Sequence, residues 1–345
     1  MTAPIEEPVA DPVLLEVRDL GVTYRAGDES IPAVRDVSFS LAAGETLGIA
    51  GESGSGKSTV ALSLLRLLPA SARVTGSVAL NGEDLTAANW GRMRAVRWAE
   101  ASVVFQGAMN ALNPVRKIGE QIREPIVLHE RVGRREADTR VAGLLDSVGV
   151  PARRADAYPH ELSGGQRQRV MIAMALACRP KLIIADEPTT ALDVIVQAQV
   201  LKLLTELVQE QSIGLIMISH DLSVLAETCA RLSIMYAGRM VENGPSAAVV
   251  EDPHHPYTSA LAGAFPHIGD PASRLAPAGL PGDPPDPRDD VVGCPFAPRC
   301  PEVYDACTTR SVELWPAGPD RESACLRVLP GEPPLRSATV EKVLA

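Results

Sequence analysis

The sequence predicts an α/β protein built on a parallel sheet, with an antiparallel β edge, a helical subdomain and a cysteine-containing C-terminal extension. Over residues 162–238, apolar runs such as KLIIA and GLIMIS alternate with helical patterns, which is typical of parallel strands joined by crossover helices. A short strand at 46–50 leads into a glycine-rich loop and an apolar helix, which we expect to continue to Leu68. The core of the protein is therefore expected to be a parallel sheet covered by helices.

The other parts of the chain are predicted from their composition and periodicity. Between Leu14 and Leu47 apolar and polar residues alternate as in β-strands, and from about 107 to 161 the pattern is mostly helical. A proline-rich stretch follows residue 265. We divide the chain into a disordered lead (1–13), a main domain (14–265) that contains the helical subdomain (107–161), and an extension (266–345) with four cysteines between 294 and 325.

Length and charge limit the function classes. The chain has 345 residues, of which 46% are hydrophobic and 22% charged, as expected for a folded soluble protein. Its net charge of −10 disfavours binding to nucleic acid, and no nucleic-acid partner is expected. The sequence contains neither a signal peptide nor an apolar run of the roughly 20 residues that span a bilayer, so we expect a cytosolic location.

The strongest motif is the glycine-rich segment from Gly51 to Ser58, GESGSGKS, which we call the phosphate loop. It fits G-x-x-x-x-G-K-[ST] and lies between a predicted strand and a predicted helix, as a loop that cradles phosphates must. Its backbone N–H groups and the helix N-terminus attract an anion. We expect Lys57 to reach the β and γ phosphates, Ser58 to bind Mg²⁺, and Thr59 to contact the α phosphate.

Two carboxylates follow the apolar run at 182–185. Asp186 and Glu187 emerge at the C-terminal end of a parallel strand, where ligands of open α/β sheets bind. We expect Asp186 to hold Mg²⁺ and Glu187 to polarise the water that attacks the γ phosphate.

A second phosphate-binding segment is Leu162 to Gln166, LSGGQ, which precedes a helix and offers a serine hydroxyl and glycine amides. We call it the signature segment. One chain has no evident use for two such segments on one nucleotide, so this one is expected to bind ATP held by another subunit.

Taken in order, these motifs resemble the ATP-binding subunits of ABC transporters, that is, a P-loop NTPase of ABC type. The resemblance covers about residues 14–330 and adds Gln106, the segment Ala191 to Asp193, and His220. It implies that Gln106 senses Mg²⁺ and the attacking water, that His220 contacts the γ phosphate, and that two chains close head to tail around two Mg·ATP. The implied ATP ligands are Tyr24 on the adenine, then Gly51, Ser53, Gly54, Ser55, Gly56, Lys57, Ser58 and Thr59. The residues implied to bind the partner's ATP are Ser163, Gly164, Gly165, Gln166 and Asp193.

The stretch FQGAMNALNPVRKIGEQI is similar to the same region of bacterial oligopeptide and dipeptide importers, although Gly107-Ala108 replaces their usual Asp-Pro. The resemblance implies ATP-driven peptide uptake at the cytoplasmic face of the membrane. The implied partners are a second ATPase subunit, two membrane-spanning permease subunits and, indirectly, an extracytoplasmic peptide-binding protein. The alternatives are nickel or another small solute as cargo, or a soluble ABC ATPase in repair or translation. The latter is disfavoured because the insert of 55 residues between Gln106 and Leu162 is too short for a long coiled coil.

Two segments resemble the C-terminal extension of peptide importers: HPYT at 255–258, near the end of the main domain, and GCPFAPRCPEVYDAC at 293–307, in the extension. Cys294, Cys300, Cys307 and Cys325 have spacings that fit structural zinc poorly, whereas a [4Fe–4S] cluster accepts more varied spacings. Some importers of this family carry such a cluster here, and we expect one; zinc and four bare thiols are the alternatives. Cys178 and Cys229 are expected to be core residues within helices.

Overall fold

Two β-sheets, with helices packed against them, make up the fold. The computed structural model describes residues 13–105, 111–190, 192–264, 282–289 and 291–335. The strands are β1 Val13–Ala26, β2 Glu29–Ala42, β3 Thr46–Ala50, β4 Ala72–Leu80, β5 Glu83–Asp84, β6 Ala101–Val104, β7 Leu182–Asp186, β8 Gly214–Ser219, β9 Arg231–Tyr236, β10 Arg239–Pro245, β11 Trp315–Pro316 and β12 Glu322–Ser323. The helices are α1 Lys57–Leu64, α2 Trp90–Val96, α3 Ile118–His129, α4 Arg134–Ser147, α5 Gly164–Ala175, α6 Val194–Glu210, α7 Leu222–Thr228, α8 Ser246–Glu251, α9 Pro256–Ala264 and α10 Asp305–Thr309.

The larger sheet has the order β11-β12-β10-β9-β3-β8-β7-β6. Strands β9, β3, β8, β7 and β6 are parallel, and β10, β12 and β11 extend the sheet in antiparallel fashion. The C-terminal ends of β3, β7 and β8 therefore meet at one edge, and the candidate site lies there.

The smaller sheet is antiparallel, with the order β2-β1-β4-β5. A core between the two sheets contains alternate residues of the central strands, such as Ile184 and Ile216, together with Val60 and Leu64 of α1. The intervening residues, Ile183 among them, face the helices on the other side. Because both faces are covered, the central strands are apolar throughout, as the sequence indicated.

The prediction that α1 continues to Leu68 is wrong. The helix ends at Leu64, and Arg66 has a φ of 51°. The amide of Leu67 donates to the carbonyl of Leu62 at 2.8 Å, and that of Arg66 donates to the carbonyl of Ser63 at 3.0 Å. This Schellman-type closure satisfies the last carbonyls and stops the helix before Pro69 is reached.

The segment between β6 and the signature segment contains α3 and α4. Their apolar residues recur every four positions and are buried together against α5. These residues are Ile118, Ile122 and Ile126 on α3, and Ala137, Val141 and Leu145 on α4.

The C-terminal extension packs on the main domain. Strand β12 pairs with β10, with Glu242 opposite Ser323. The ring of Phe296 makes edge contacts with Tyr236 and Tyr257, at centroid distances of 5.4 Å each. Residues of the extension therefore share the core of the main domain. The boundaries that we predicted between the domains stay predictions.

Within the described ranges, no helix is both long enough and apolar enough to cross a membrane.

Candidate active site

The phosphate loop has a backbone that only glycine adopts easily at several positions. Gly54 and Gly56 have φ values of 80° and 103°. A Cβ added to Gly56 would lie 2.5 Å from the carbonyl oxygen of Ala33, and one added to Gly51 would lie 2.2 Å from that of Met235. The loop is therefore pressed against β2 and β9, and α1 begins directly after it.

Lys57 lies inside this loop. Its Nζ donates to the carbonyl oxygens of Gly51 and Glu52 at 2.7 and 2.8 Å, and Ser55 Oγ is 3.5 Å away. Burial lowers the pKa of Lys57, while the charges of Glu187, Asp186 and Glu52 act in the opposite direction. Three carboxylate groups therefore act on one buried ammonium group.

Ser58 and Asp186 are brought together although they are far apart in sequence. The hydroxyl of Ser58 donates to Oδ1 of Asp186 at 3.1 Å. Burial raises the pKa of Asp186, and the bond from Ser58 lowers it. A hydroxyl and a carboxylate at this separation are oxygen ligands of the kind that Mg²⁺ prefers.

Glu187 follows at the end of β7 with a φ of 43°. Its amide donates to the carbonyl of Ile218 at 2.9 Å, and Thr190 Oγ1 donates to its Oε2 at 2.8 Å. His220 Nδ1 is 3.4 Å from Oε1. The carboxylate is therefore held by neighbours on two strand ends, and Thr190 is a contact that the motif analysis missed.

The signature segment forms the N-terminus of α5. Ser163 caps the helix: its Oγ accepts from the amide of Gln166 at 3.3 Å, and Oε1 of Gln166 accepts from the amide of Ser163 at 3.1 Å. The helix begins at Gly164, inside the segment that the sequence predicts to precede it. Ser163 is exposed.

Asp193 lies beside this segment. It caps α6 by accepting from the amide of Val196 at 3.0 Å. A Cβ on Gly165 would lie only 2.5 Å from Cγ1 of Val196, so the first turns of α5 and α6 are in close contact. The structure thus gathers the residues implied to bind the partner's ATP at two adjacent helix N-termini.

Tyr24, the residue implied to stack on the adenine, lies close to the phosphate loop. The hydroxyl of Tyr24 is 3.2 Å from Thr59 Oγ1, so this tyrosine lies beside the first turn of α1. Gln106 and Ala191 lie outside the described residues.

The main domain contacts the extension at the phosphate loop itself. Glu52 accepts two hydrogen bonds from Arg299, and its amide donates to the hydroxyl of Tyr257. Nothing in the motif spacing indicated this contact, because Glu52 occupies a variable position of the loop and Arg299 is 247 residues away.

The four cysteines of the extension line one small cavity together with His255 and Phe296. All of them are free thiols. Burial raises the pKa of Cys294 to about 11 and that of Cys325 to about 12. In the part of the chain that the structure describes, no group of three or more His, Cys, Asp or Glu residues is arranged to hold a single metal ion. Cys178 and Cys229 are buried as expected, although they follow the ends of α5 and α7 rather than lying within helices.

Comparison with solved structures identifies the fold. A dimeric, post-hydrolysis structure of the ATP-binding cassette MJ0796 with ADP and Pi matches with a TM-score of 0.61 and 28% identity, over 68% of this chain and 99% of that one. CbiO1 from Clostridium perfringens, part of an ABC transporter complex, matches with a TM-score of 0.60 and 27% identity, over 70% and 92% of the two chains. The fold class that we predicted is confirmed: the protein is an ATP-binding cassette.

Sequence comparison identifies the family to which this ATP-binding cassette belongs. The ABC transporter family matches residues 34–190, and the C-terminal region of oligopeptide/dipeptide transporters matches residues 241–307. The oligopeptide transport ATP-binding protein OppD of Escherichia coli is 45% identical over 94% of this chain and 96% of its own length. A putative peptide import ATP-binding protein of Brucella abortus is 49% identical over 92% and 96%. The chain therefore belongs to the oligopeptide transport ATP-binding proteins of the ABC transporter family.

Proposed function

We propose that this chain is the ATP-hydrolysing subunit of an importer that moves di- and oligopeptides inward across the cytoplasmic membrane. The observation that carries the proposal is 45% identity to an oligopeptide transport ATP-binding protein over nearly the full length of both chains. The phosphate loop, the acidic pair and the signature segment supply the chemistry. The chain binds at the cytoplasmic face of the membrane to two permease subunits, which receive peptide from an extracytoplasmic binding protein.

ATP binds first to the phosphate loop. The amides of residues 51 to 58 face the phosphates, and Lys57 exchanges its bonds to the carbonyls of Gly51 and Glu52 for bonds to the β and γ phosphates. Thr59 contacts the α phosphate. Tyr24 stacks on the adenine, which its position beside Thr59 permits.

Hydrolysis uses groups at the ends of β7 and β8. Asp186 and Ser58 would hold Mg²⁺, with Gln106, and the ion when bound would neutralise charge on the phosphates. Glu187 accepts a proton from the attacking water, and its contacts with Thr190 and His220 orient the carboxylate for that task. His220 also contacts the γ phosphate.

The site is completed by a second ATPase subunit, identical or homologous. Ser163, Gly164, Gly165 and Gln166 present a helix N-terminus to the γ phosphate that the partner holds, and Asp193 links the two sites. The dimeric arrangement of the related cassette MJ0796 supports this assignment. After hydrolysis the closed dimer opens, and α3 and α4 transmit this movement to the permeases.

The role of Glu187 is tested by Glu187→Gln in the assembled transporter. The amide keeps the size of the side chain but cannot accept the proton, so we expect unchanged binding of Mg·ATP and a loss of turnover of at least about 100-fold. Glu210→Gln, at the exposed end of α6, is the matched control and should retain full activity. Near-normal hydrolysis by the Glu187 variant would remove Glu187 from this role.

Cargo and partners are tested together by isolating the tagged chain from native membranes in mild detergent and identifying the subunits that co-purify. Permease subunits should be recovered, and uptake of labelled short peptides should stop in cells with the Glu187→Gln variant. If cells take up nickel or another small solute and not peptides, that solute is the cargo in place of peptides. Recovery of ribosomes or DNA without membrane proteins would contradict the proposal.

We also propose that Cys294, Cys300, Cys307 and Cys325 hold a [4Fe–4S] cluster that braces the extension. Support comes from their shared cavity. Support also comes from nearby backbone N–H groups that oppose the rise in pKa caused by burial: those of Phe296 and Ala297 at Cys294, of Glu302 at Cys300 and of Arg327 at Cys325. Such N–H donors stabilise sulfur that carries negative charge.

The test is analysis of iron and acid-labile sulfide in the full chain purified without oxygen. About four of each per chain are expected. Cys300→Ser should lose them, whereas Cys178→Ala, a buried cysteine outside the cavity, should retain them. Zinc, or no metal at all, would refute the cluster.

A further inference from the structure

The phosphate loop is held from outside the main domain, at Glu52. The Nη1 and Nη2 atoms of Arg299 donate to the two carboxylate oxygens of Glu52 at 2.7 and 3.0 Å. This is a bidentate pair of the kind that fixes geometry as well as adding energy. The arginine side chain is only 4% exposed, so the pair is poorly screened by solvent.

Arg299 is itself rigidly placed. It lies over the rings of Tyr236 and Phe296, with distances of 5.7 and 5.9 Å from the guanidinium carbon to the ring centroids. Its amide donates to the carbonyl of Phe296 at 2.9 Å within a 3-10 turn that connects Cys294 and Cys300. The cysteine-bearing turn therefore determines where the guanidinium group points.

Tyr257 provides a second support. Its buried hydroxyl accepts a hydrogen bond from the amide of Glu52 at 2.8 Å. Burial raises the pKa of Tyr257, so the hydroxyl stays neutral. The ring packs against Tyr236 at a centroid distance of 4.6 Å and against Phe296, which belongs to the extension.

These contacts act on the same residue that Lys57 contacts. The amide and the carboxylate of Glu52 are held by Tyr257 and Arg299, while its carbonyl accepts from Nζ of Lys57 at 2.8 Å. Gly51, the preceding residue, is pressed against β9. A shift of Glu52 would therefore move the loop amides and the lysine together.

We propose that Arg299 and Tyr257 are positioning residues of the nucleotide site, so that the C-terminal extension, through Arg299, completes the phosphate loop at Glu52 together with Tyr257 of the main domain. The proposal rests on the ATP-binding function proposed above, and it does not depend on what the four thiols hold. Removal of Arg299 leaves the loop able to fold but no longer fixed in the conformation that receives phosphates, and ATP affinity falls.

The experiment measures Mg·ATP binding to the full chain by calorimetry, beside the thermal unfolding midpoint without nucleotide. We expect Arg299→Gln and Glu52→Gln each to weaken binding about tenfold, because each removes one half of a buried bidentate pair. The double variant should bind no more weakly than either single one. Arg299→Lys should be intermediate, and Tyr257→Phe should weaken binding about threefold. Arg310→Gln is the matched control, since this arginine of the extension forms an exposed pair with Glu332.

The outcomes separate this inference from the proposed function. If the unaltered chain does not bind Mg·ATP, the proposed function fails. If it binds and the variants at 299, 52 and 257 bind equally well, only the positioning role fails. Additive losses in the double variant would also overturn it. If Arg299→Gln does not fold, Glu52→Gln and Tyr257→Phe still decide the question, since neither removes the buried guanidinium group.

Discussion

The two phosphate-binding segments of this chain are built in different ways. The phosphate loop is enclosed: Ser55 and Lys57 are buried, and the loop touches β2, β9 and the extension. The signature segment is open, because Ser163 is exposed and its cap bonds are made within the segment itself. Among the described contacts, side chains from distant parts of the chain donate or accept hydrogen bonds at the first segment, whereas the second touches α6 through its glycines.

This difference agrees with the proposal that the chain by itself completes only the phosphate-loop half of the nucleotide site. Next to the signature segment, Val194 and Ile195 of α6 are 73% and 72% exposed, which leaves adjacent apolar surface uncovered. An open helix N-terminus beside such a surface fits a role that a partner subunit completes. The enclosed loop, in contrast, should bind nucleotide in the separate chain. Three experiments test this contrast.

The largest effect is expected at Lys57. Lys57→Ala removes the buried charge that contacts the phosphates, so the affinity of the separate chain for Mg·ATP should fall by at least about 100-fold, or about 2.7 kcal/mol. Calorimetry measures this change. Lys202→Ala is the control, because Lys202 is exposed and pairs only loosely with Glu206 on α6. Binding that persists in the Lys57 variant would mean that the enclosed loop is not the primary site.

A smaller effect, on turnover alone, is expected at Ser163. Ser163→Arg fills the helix N-terminus with a bulky cation, so ATP turnover by the assembled transporter should fall at least about tenfold. Mg·ATP affinity of the separate chain should change by less than about twofold. Gln209→Arg, at the exposed C-terminal end of α6, is the control. An equal loss of affinity in the separate chain would show that both segments serve one nucleotide and would remove the contrast.

The third prediction concerns stability, with no effect on nucleotide chemistry at issue, and it compares two glycines of the phosphate loop. Gly56→Ala combines a positive φ with a contact of 2.5 Å to the carbonyl of Ala33, and it should lower the free energy of unfolding by about 3 kcal/mol. Gly54→Ala meets no atom within 4 Å and should cost about 1 kcal/mol. Urea unfolding monitored by circular dichroism measures both. Equal values would mean that the packing of the loop on β2 contributes nothing.

Much of this architecture could be predicted from the sequence. The strand at Thr46–Ala50 and the strand at Gly214–Ser219 have the predicted bounds, because buried parallel strands are continuous apolar runs. The proximity of Ser58 and Asp186 followed from the rule that parallel strands end at one edge of the sheet.

Other features could not be predicted because they depend on tertiary contacts. The end of α1 is determined by the left-handed conformation of Arg66. An arginine in the sequence does not indicate that conformation. The pair between Glu52 and Arg299 joins positions 247 residues apart and has no periodicity to reveal it. Thr190 is found only once the turn after β7 brings its hydroxyl to Glu187.

The way in which the extension meets β10 also affects the solubility of the protein. An open sheet edge presents unpaired amides and carbonyls that can recruit strands from other molecules. Here β12 pairs with Glu242 and Asn243 of β10, and β11 pairs with β12, so the outermost strands on this side of the sheet are only two residues long. A chain cut before Trp315 would uncover β10 and is expected to aggregate through that strand.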